Sequence, residues 1–143
     1  MFFSIVIPTY NRLPILQKCL RALEIQTLDS QIVTDYEIIV VDDGSTDGTI
    51  EWLQNSTTTL PHLNIYQQAH KGASAARNLG VEQAQGDTIV FIDSDIVVTP
   101  TFLQSHADAL LAAQQAQGDD RVFTYGAVIN TANFESPTSE PYK

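Results

Sequence analysis

The chain has 143 residues, the length of one domain and enough to bury a substantial core. Its 7 Lys and Arg against 17 Asp and Glu give a net charge of −10, which argues against non-specific nucleic-acid binding, since that needs a positive stripe. The single cysteine, Cys19, excludes an internal disulfide and any cysteine-based zinc site.

The first twelve residues, MFFSIVIPTYNR, lack a basic region, and their apolar run is short for a signal peptide. Residues 2–7 read instead as a buried strand closed by Pro8. Residues 13–25 carry apolar side chains at 13, 16, 20 and 23, a helical period that places Cys19 among core leucines. A second apolar run, 36–41, stops at Asp42, and Asp47 is placed to cap a helix carrying Ile50, Trp52 and Leu53. Residues 63–66 form a weaker third strand. An alanine-rich helix follows over 73–85, ended by Gly86 and Asp87. Residues 88–92 are the fourth strand, 100–117 a helix and 121–129 a fifth strand. The polar tail from 130 to 143 has no pattern and is expected to be partly disordered. No stretch approaches the ~20 apolar residues of a membrane span, so a cytoplasmic, reducing setting is the expectation, with membrane association left to a longer protein.

Strands alternating with helices at this spacing predict an α/β fold, a mostly parallel sheet with helices on both faces. In such sheets ligands sit outside the carboxyl ends of the strands. Three polar clusters fall on that rim: PTYNR after the first strand, DDGSTDG after the second and DSD after the fourth.

In DSD, an extended backbone would turn Asp93 and Asp95 to one side, about 6.5 Å apart at Cα, with Ser94 turned away. Two like charges that close call for a cation, and Mg²⁺ or Mn²⁺ bridging to a diphosphate fits, because these ions take few protein carboxylates. The competing reading has Asp95 capping a turn and Asp93 paired with a basic residue. In DDGSTDG, a carboxylate at the strand end can accept an N–H from a planar base, although a helix-capping turn would use the same residues. An EF-hand is rejected because its twelfth position is Gln54. In HKGASAARNLG, Gly72, Ala73 and Ser74 open a helix toward a possible anion, and Lys71 and Arg77 stand beside that opening to meet phosphate or the rim aspartates. Ala75, Ala76 and Gly80 suit close packing on the sheet. His62, His70 and His106 share no metal spacing and read as surface residues. No Walker loop, GxGxxG string or nucleophile elbow is present.

Taken together, SIVIPTYNR, VVDDGSTDGT, KGASAARNLG and FIDSD, in this order over residues 3–105, resemble the family 2 glycosyltransferases. The resemblance implies a GT-A fold, Rossmann-like and three-layered α/β/α. It implies transfer of a hexosyl or hexosaminyl group from a nucleotide-sugar, a UDP-sugar foremost, to a carbohydrate, lipid or protein hydroxyl with inversion. By the same resemblance Pro8 and Tyr10 line the base and ribose, and Asp43 reads the base while Asp42 serves the local structure. Asp95 holds Mn²⁺ or Mg²⁺ on the diphosphate, Asp93 lies near the ribose and sometimes the metal, and Arg77 and Asn78 belong to a partly structural stretch.

The family's catalytic base lies well beyond DxD, and none of Asp108, Asp119, Asp120, Glu135 or Glu140 sits in a recognisable base motif. The base is therefore expected beyond Lys143, and the chain is expected to be the donor-binding amino-terminal part of a longer enzyme, cut before the acceptor-binding half. On that expectation it is inactive alone and prone to self-association through the truncated sheet. The alternatives are a non-catalytic nucleotide-binding or regulatory module and, more remotely, a haloacid-dehalogenase-type phosphatase, whose DxDx[TV] string would have to open the fold.

Overall fold

A computed structural model describes residues 1–126, in two compact units, Met1–Gln104 and one beginning at Ser105. Four strands, β1 (Phe2–Thr9), β2 (Asp35–Asp42), β3 (Leu63–Gln67) and β4 (Thr88–Phe91), alternate with four helices among these residues. The helices are α1 (Leu13–Glu24), α2 (Thr49–Asn55), α3 (Ala73–Gln83) and α4 (Phe102–Gln117). All strand pairs are parallel, in the order β3-β2-β1-β4.

The two inner strands are apolar because both their faces are covered. Val6, Ile39 and Val41 point to one face, where Ala76 of α3 completes a fully buried cluster. Gly80, one turn further on, lets α3 settle closely, since a Cβ there would lie 2.3 Å from Val6 Cγ1. The alternate residues Ile5, Ile7, Ile38 and Val40 are equally buried on the other face, with Leu16, Cys19, Leu20 and Leu23 of α1. Tyr36, in phase with Ile38, donates its hydroxyl hydrogen to Leu23 O at 2.9 Å and ties α1 to that face. Burial pushes the Tyr36 phenol up to about 12, with Glu24 and Asp35 adding to the rise. Burial likewise pushes the Cys19 thiol up to about 12, as a core residue should show.

A polar network closes the opposite end of the sheet from the rim clusters. Buried Glu37 accepts from Ser4 Oγ (2.6 Å), Gln85 N (2.7 Å) and Asn64 Nδ2 (3.0 Å).

Three expectations change. β1 continues through Pro8 to Thr9. Backbone groups of Val6 point toward β4, where Val6 O accepts from Ile92 N, so the missing N–H of Pro8 points the same way, past the end of β4 at Phe91. No ladder bond is lost there, and a central strand tolerates the proline. Residues 92–98 do not prolong β4: Ile96 N donates to Asp93 O at 3.1 Å, closing a turn over DSD. The extended spacing expected for Asp93 and Asp95 is thus replaced by a turn. Finally, residues 121–126 form no strand; Val122 N bonds back to Asp120 O, Arg121 grips Asp119, and Phe123 and Tyr125 are exposed. Residues 127–129 and the tail 130–143, Lys143 included, lie outside the described residues. The expectation of a catalytic base beyond Lys143 therefore also falls outside them.

Candidate functional site

β1 and β4 part beyond Val6 and Phe91, and the gap becomes a cleft of about 380 Å³ at the carboxyl ends of the strands. It is lined by Pro8 and Thr9 at the end of β1, Tyr10 and Arg12 from the first loop, Asp43 from the second, Ala73 and Arg77 from α3, and Asp93, Ser94 and Asp95 from the turn after β4. Five of the six side chains singled out for donor binding, together with Asp95, meet here. The sixth, Lys71, is exposed and not among the lining residues; its backbone N–H contributes instead.

Asp42 ends β2 and Asp43 opens the loop after it, and the two do different work. Asp42 is fully buried, and its Oδ2 accepts from Ser45 N at 3.0 Å to shape the turn. Asp43 projects toward the start of α3. Its Oδ1 accepts from Lys71 N (2.7 Å), Gln68 Nε2 (2.8 Å) and Gly72 N (3.2 Å), and its Oδ2 from Gly72 N (3.0 Å). Burial by itself would raise the Asp43 carboxyl; the N–H bonds from Lys71, Gln68 and Gly72, with His70 beside it, outweigh burial and hold it below the usual carboxylate range. The anion at the opening of α3 is therefore the chain's own.

The first two loops are laced together. Asn11, at φ 49° in the left-handed region that asparagine tolerates, accepts from Thr46 N at 2.8 Å, and its N–H donates to Ser45 Oγ at 2.9 Å. Asp47 accepts from Leu13 N at 3.1 Å and from Thr49 N at 3.2 Å. Gly48, not Asp47, is the N-cap of α2; from one residue earlier, the Asp47 carboxylate satisfies the first N–H of both α1 and α2. Burial opposes ionisation of Asp47, but the Thr49 hydroxyl and the Leu13 and Thr49 N–H groups prevail and lower its pKa.

Each acid of DSD meets an arginine. Arg77 Nη2 lies 2.7 Å from Asp93 Oδ1, and Arg12 Nη1 lies 3.2 Å from Asp95 Oδ2. Asp93 and Asp95 are 63% and 46% exposed, while Ser94 between them is buried. These contacts match the basic-partner reading of Asp93 and extend it to Asp95. No group of three His, Cys, Asp or Glu side chains gathers among the described residues, so there is no all-protein metal cage among them. Two accessible carboxylates facing a cleft still suit Mn²⁺ or Mg²⁺, which fill their shells with water and substrate phosphates.

Two side chains make contacts at the rim that the sequence reading does not foresee. Arg12 is legible only as the last letter of PTYNR, and His70 reads as a surface residue. His70 in fact stacks on Tyr10, ring centroids 4.2 Å apart, with Nδ1 2.9 Å from Asp43 Oδ2. The other two histidines are also engaged: His62 with Glu24 at 2.6 Å and on the Tyr36 ring, His106 with Thr124 Oγ1 at 2.7 Å. Asp119, among the acids weighed as a base, is held by Arg121 at 2.7 Å, and that pairing lowers its pKa.

Residues 4–131 match the sequence model of the family described as "Glycosyl transferase family 2". An uncharacterized glycosyltransferase YibD of Escherichia coli is 38% identical over 71% of this chain and 28% of its own length. Glycosyltransferase AglE of Haloferax volcanii is 41% identical over 66% and 30%. The chain thus spans under a third of the length of these relatives. Among solved structures, S. aureus TarS 1-349 in complex with UDP-GlcNAc has TM-score 0.67 and 30% identity over 80% of this chain and 32% of that one. The mannosyltransferase PcManGT of Pyrobaculum calidifontis, in complex with GDP-Man and Mn²⁺, has TM-score 0.66 and 26% identity over 92% and 36%.

Proposed function

The chain belongs to glycosyl transferase family 2, and on that premise we propose that its rim cleft binds the nucleoside diphosphate of a sugar donor, a UDP-sugar foremost. The transfer served is inverting, to an acceptor hydroxyl. The observation that carries this reading is the convergence of Tyr10, Asp43, Arg77, Asp93 and Asp95 from four separate segments on one cleft. TarS with UDP-GlcNAc and PcManGT with GDP-Man support it as structural neighbours.

The roles follow from chemistry. Tyr10 offers a ring for a base, and Asp43 an acceptor for a base N–H. Asp93 turns toward the ribose, and Arg12 and Arg77 exchange carboxylate for phosphate oxygens, which guanidinium matches equally well. Asp95, with Asp93, would hold Mn²⁺ or Mg²⁺. A bound cation would supply charge stabilisation to the departing diphosphate. The carboxylates lining the cleft, Asp43, Asp93 and Asp95, are already engaged by Lys71 and Gly72 N–H groups, Arg77 and Arg12. None of the three stands free to take a proton from an acceptor, so the role proposed for this cleft is donor binding. The same engagement favours, as a second reading, a nucleotide-binding module that does no chemistry.

A thermal-shift panel of UDP, GDP, CDP and TDP, with and without Mn²⁺, tests the donor site. A ligand at 100 times its Kd adds about 2.7 kcal/mol, and the expected result is a shift with UDP that grows with Mn²⁺. No shift with any nucleotide sinks the reading. Sugar transfer to an acceptor by these 143 residues alone would overturn the restriction of the proposed role to donor binding.

A further inference from the structure

A carboxylate offers about four lone-pair positions. On Asp43 the backbone of Lys71 and Gly72 and the amide of Gln68 crowd Oδ1, and Gly72 takes one position on Oδ2. The remaining approach to Oδ2 is held by His70 Nδ1 at 2.9 Å, an atom that also lies 3.1 Å from Asp43 O. The same imidazole lies 28° from parallel to the Tyr10 ring. A flat heteroaromatic ring stacked on Tyr10, with a ring nitrogen on Asp43, is how a nucleobase would be held there.

We propose that His70 is a built-in occupant of the nucleobase subsite, an intramolecular competitor that must swing away before a base can stack on Tyr10 and bond to Asp43. This rests on the reading of the cleft as a nucleotide site. The side chain has room to leave, being 61% exposed. Its backbone is fixed where the ring can return: Gly44, at φ +88°, packs so near that a Cβ on it would come 3.2 Å from His70 N and 3.5 Å from His70 Cβ. Only glycine meets both demands, the left-handed backbone and the close approach. A competitor of this kind lowers apparent affinity by the fraction of time the subsite stands open. It also favours ligands whose base supplies both the stack and the N–H, because these alone replace both His70 contacts.

Calorimetric titration of UDP in saturating Mn²⁺ tests the proposal on the wild-type chain, His70→Ala, His70→Phe and Tyr10→Ala. His70→Phe keeps a ring but cannot bond to Asp43, and covers the case in which His70→Ala fails to fold. Both His70 variants should bind UDP more tightly, His70→Ala by roughly fivefold or more, while Tyr10→Ala binds more weakly. If the His70 variants bind equally or less well and Tyr10→Ala still weakens binding, His70 is a wall or a bystander and the proposal is overturned, with the base site intact. If Tyr10→Ala changes nothing, or UDP binds to none of the four, the base-site reading itself fails and takes the proposal with it.

Discussion

Arg77 Nη2 sits 2.7 Å from Asp93 Oδ1, joining helix α3 to the turn after β4 across the mouth of the cleft. Both side chains reach solvent, so the pair adds only ~0–1 kcal/mol to stability. Arg77→Ala should therefore leave the urea midpoint nearly unchanged. If Arg77 passes from Asp93 to a phosphate oxygen, the same variant weakens UDP by about tenfold or more, the worth of a charged hydrogen bond. A large loss of stability with intact binding would make Arg77 purely structural.

Asp95→Ala separates the cation from the nucleotide. Removing this carboxylate should abolish the part of the UDP thermal shift that depends on Mn²⁺ and leave the metal-free part in place. An unchanged Mn²⁺ increment would move the cation elsewhere.

Asp47 joins two helix starts through Leu13 N and Thr49 N. Asp47→Ala leaves both donors without that partner and should cost ~1–2 kcal/mol, the usual worth of a lost cap. Chemical denaturation should show a lower midpoint at constant slope. Asp47→Asn, which keeps an acceptor, should recover most of the loss.

Acid should destabilise the fold by a predictable route. The Asp43 and Asp47 carboxyls are lowered in the folded chain relative to the ordinary value of about 4. The unfolded chain therefore takes up these protons first. Their contribution is complete above the ordinary carboxylate pKa and disappears as pH falls through it toward the lowered folded values. Melting temperature measured from pH 6 to pH 2 should fall over that window. Asp47→Asn should flatten the slope.

Gly86 sits tightly against the backbone of β1. A Cβ there would lie 2.4 Å from Phe2 O and 2.8 Å from Ser4 N, backbone atoms with little room to yield. Gly86→Ala should cost ~1–3 kcal/mol, in the range of overpacked cores, whereas Gly118→Ala meets no atom within 4 Å and pays only for its positive φ. Parallel thermal melts compare the two.

Continuous apolar runs place β1 and β2 within two residues of their ends, because strands buried on both faces are mostly apolar and admit polar side chains such as Ser4 and Glu37 only where these are hydrogen-bonded. Helix periodicity does as well for α1. The errors have separate causes. Pro8 depends on where the neighbouring strand β4 stops, while DSD and residues 121–126 fold back on themselves through the Ile96–Asp93 and Val122–Asp120 bonds, which the apolar pattern does not encode. Arg12 and His70 lie within or beside the polar clusters, yet nothing local marks them. Their partners, Asp95 and Asp43, are 83 and 27 residues away, so only folding reveals the pairing. Gly86 looks like a helix stop in the sequence; α3 ends earlier, at Gln83, and the residue is glycine because the β1 backbone passes over it.

The bonds from Asn11 to Ser45 and Thr46, and from Leu13 to Asp47, make the loops after β1 and β2 a single unit before any ligand arrives. Ordering loops on association consumes part of the gross interaction energy. Here most of that conformational entropy is lost during folding instead. Uridine nucleotides should consequently bind with a small entropic penalty and little change in amide-exchange protection over residues 10–13 and 44–49, leaving the movable His70 ring as the main local adjustment.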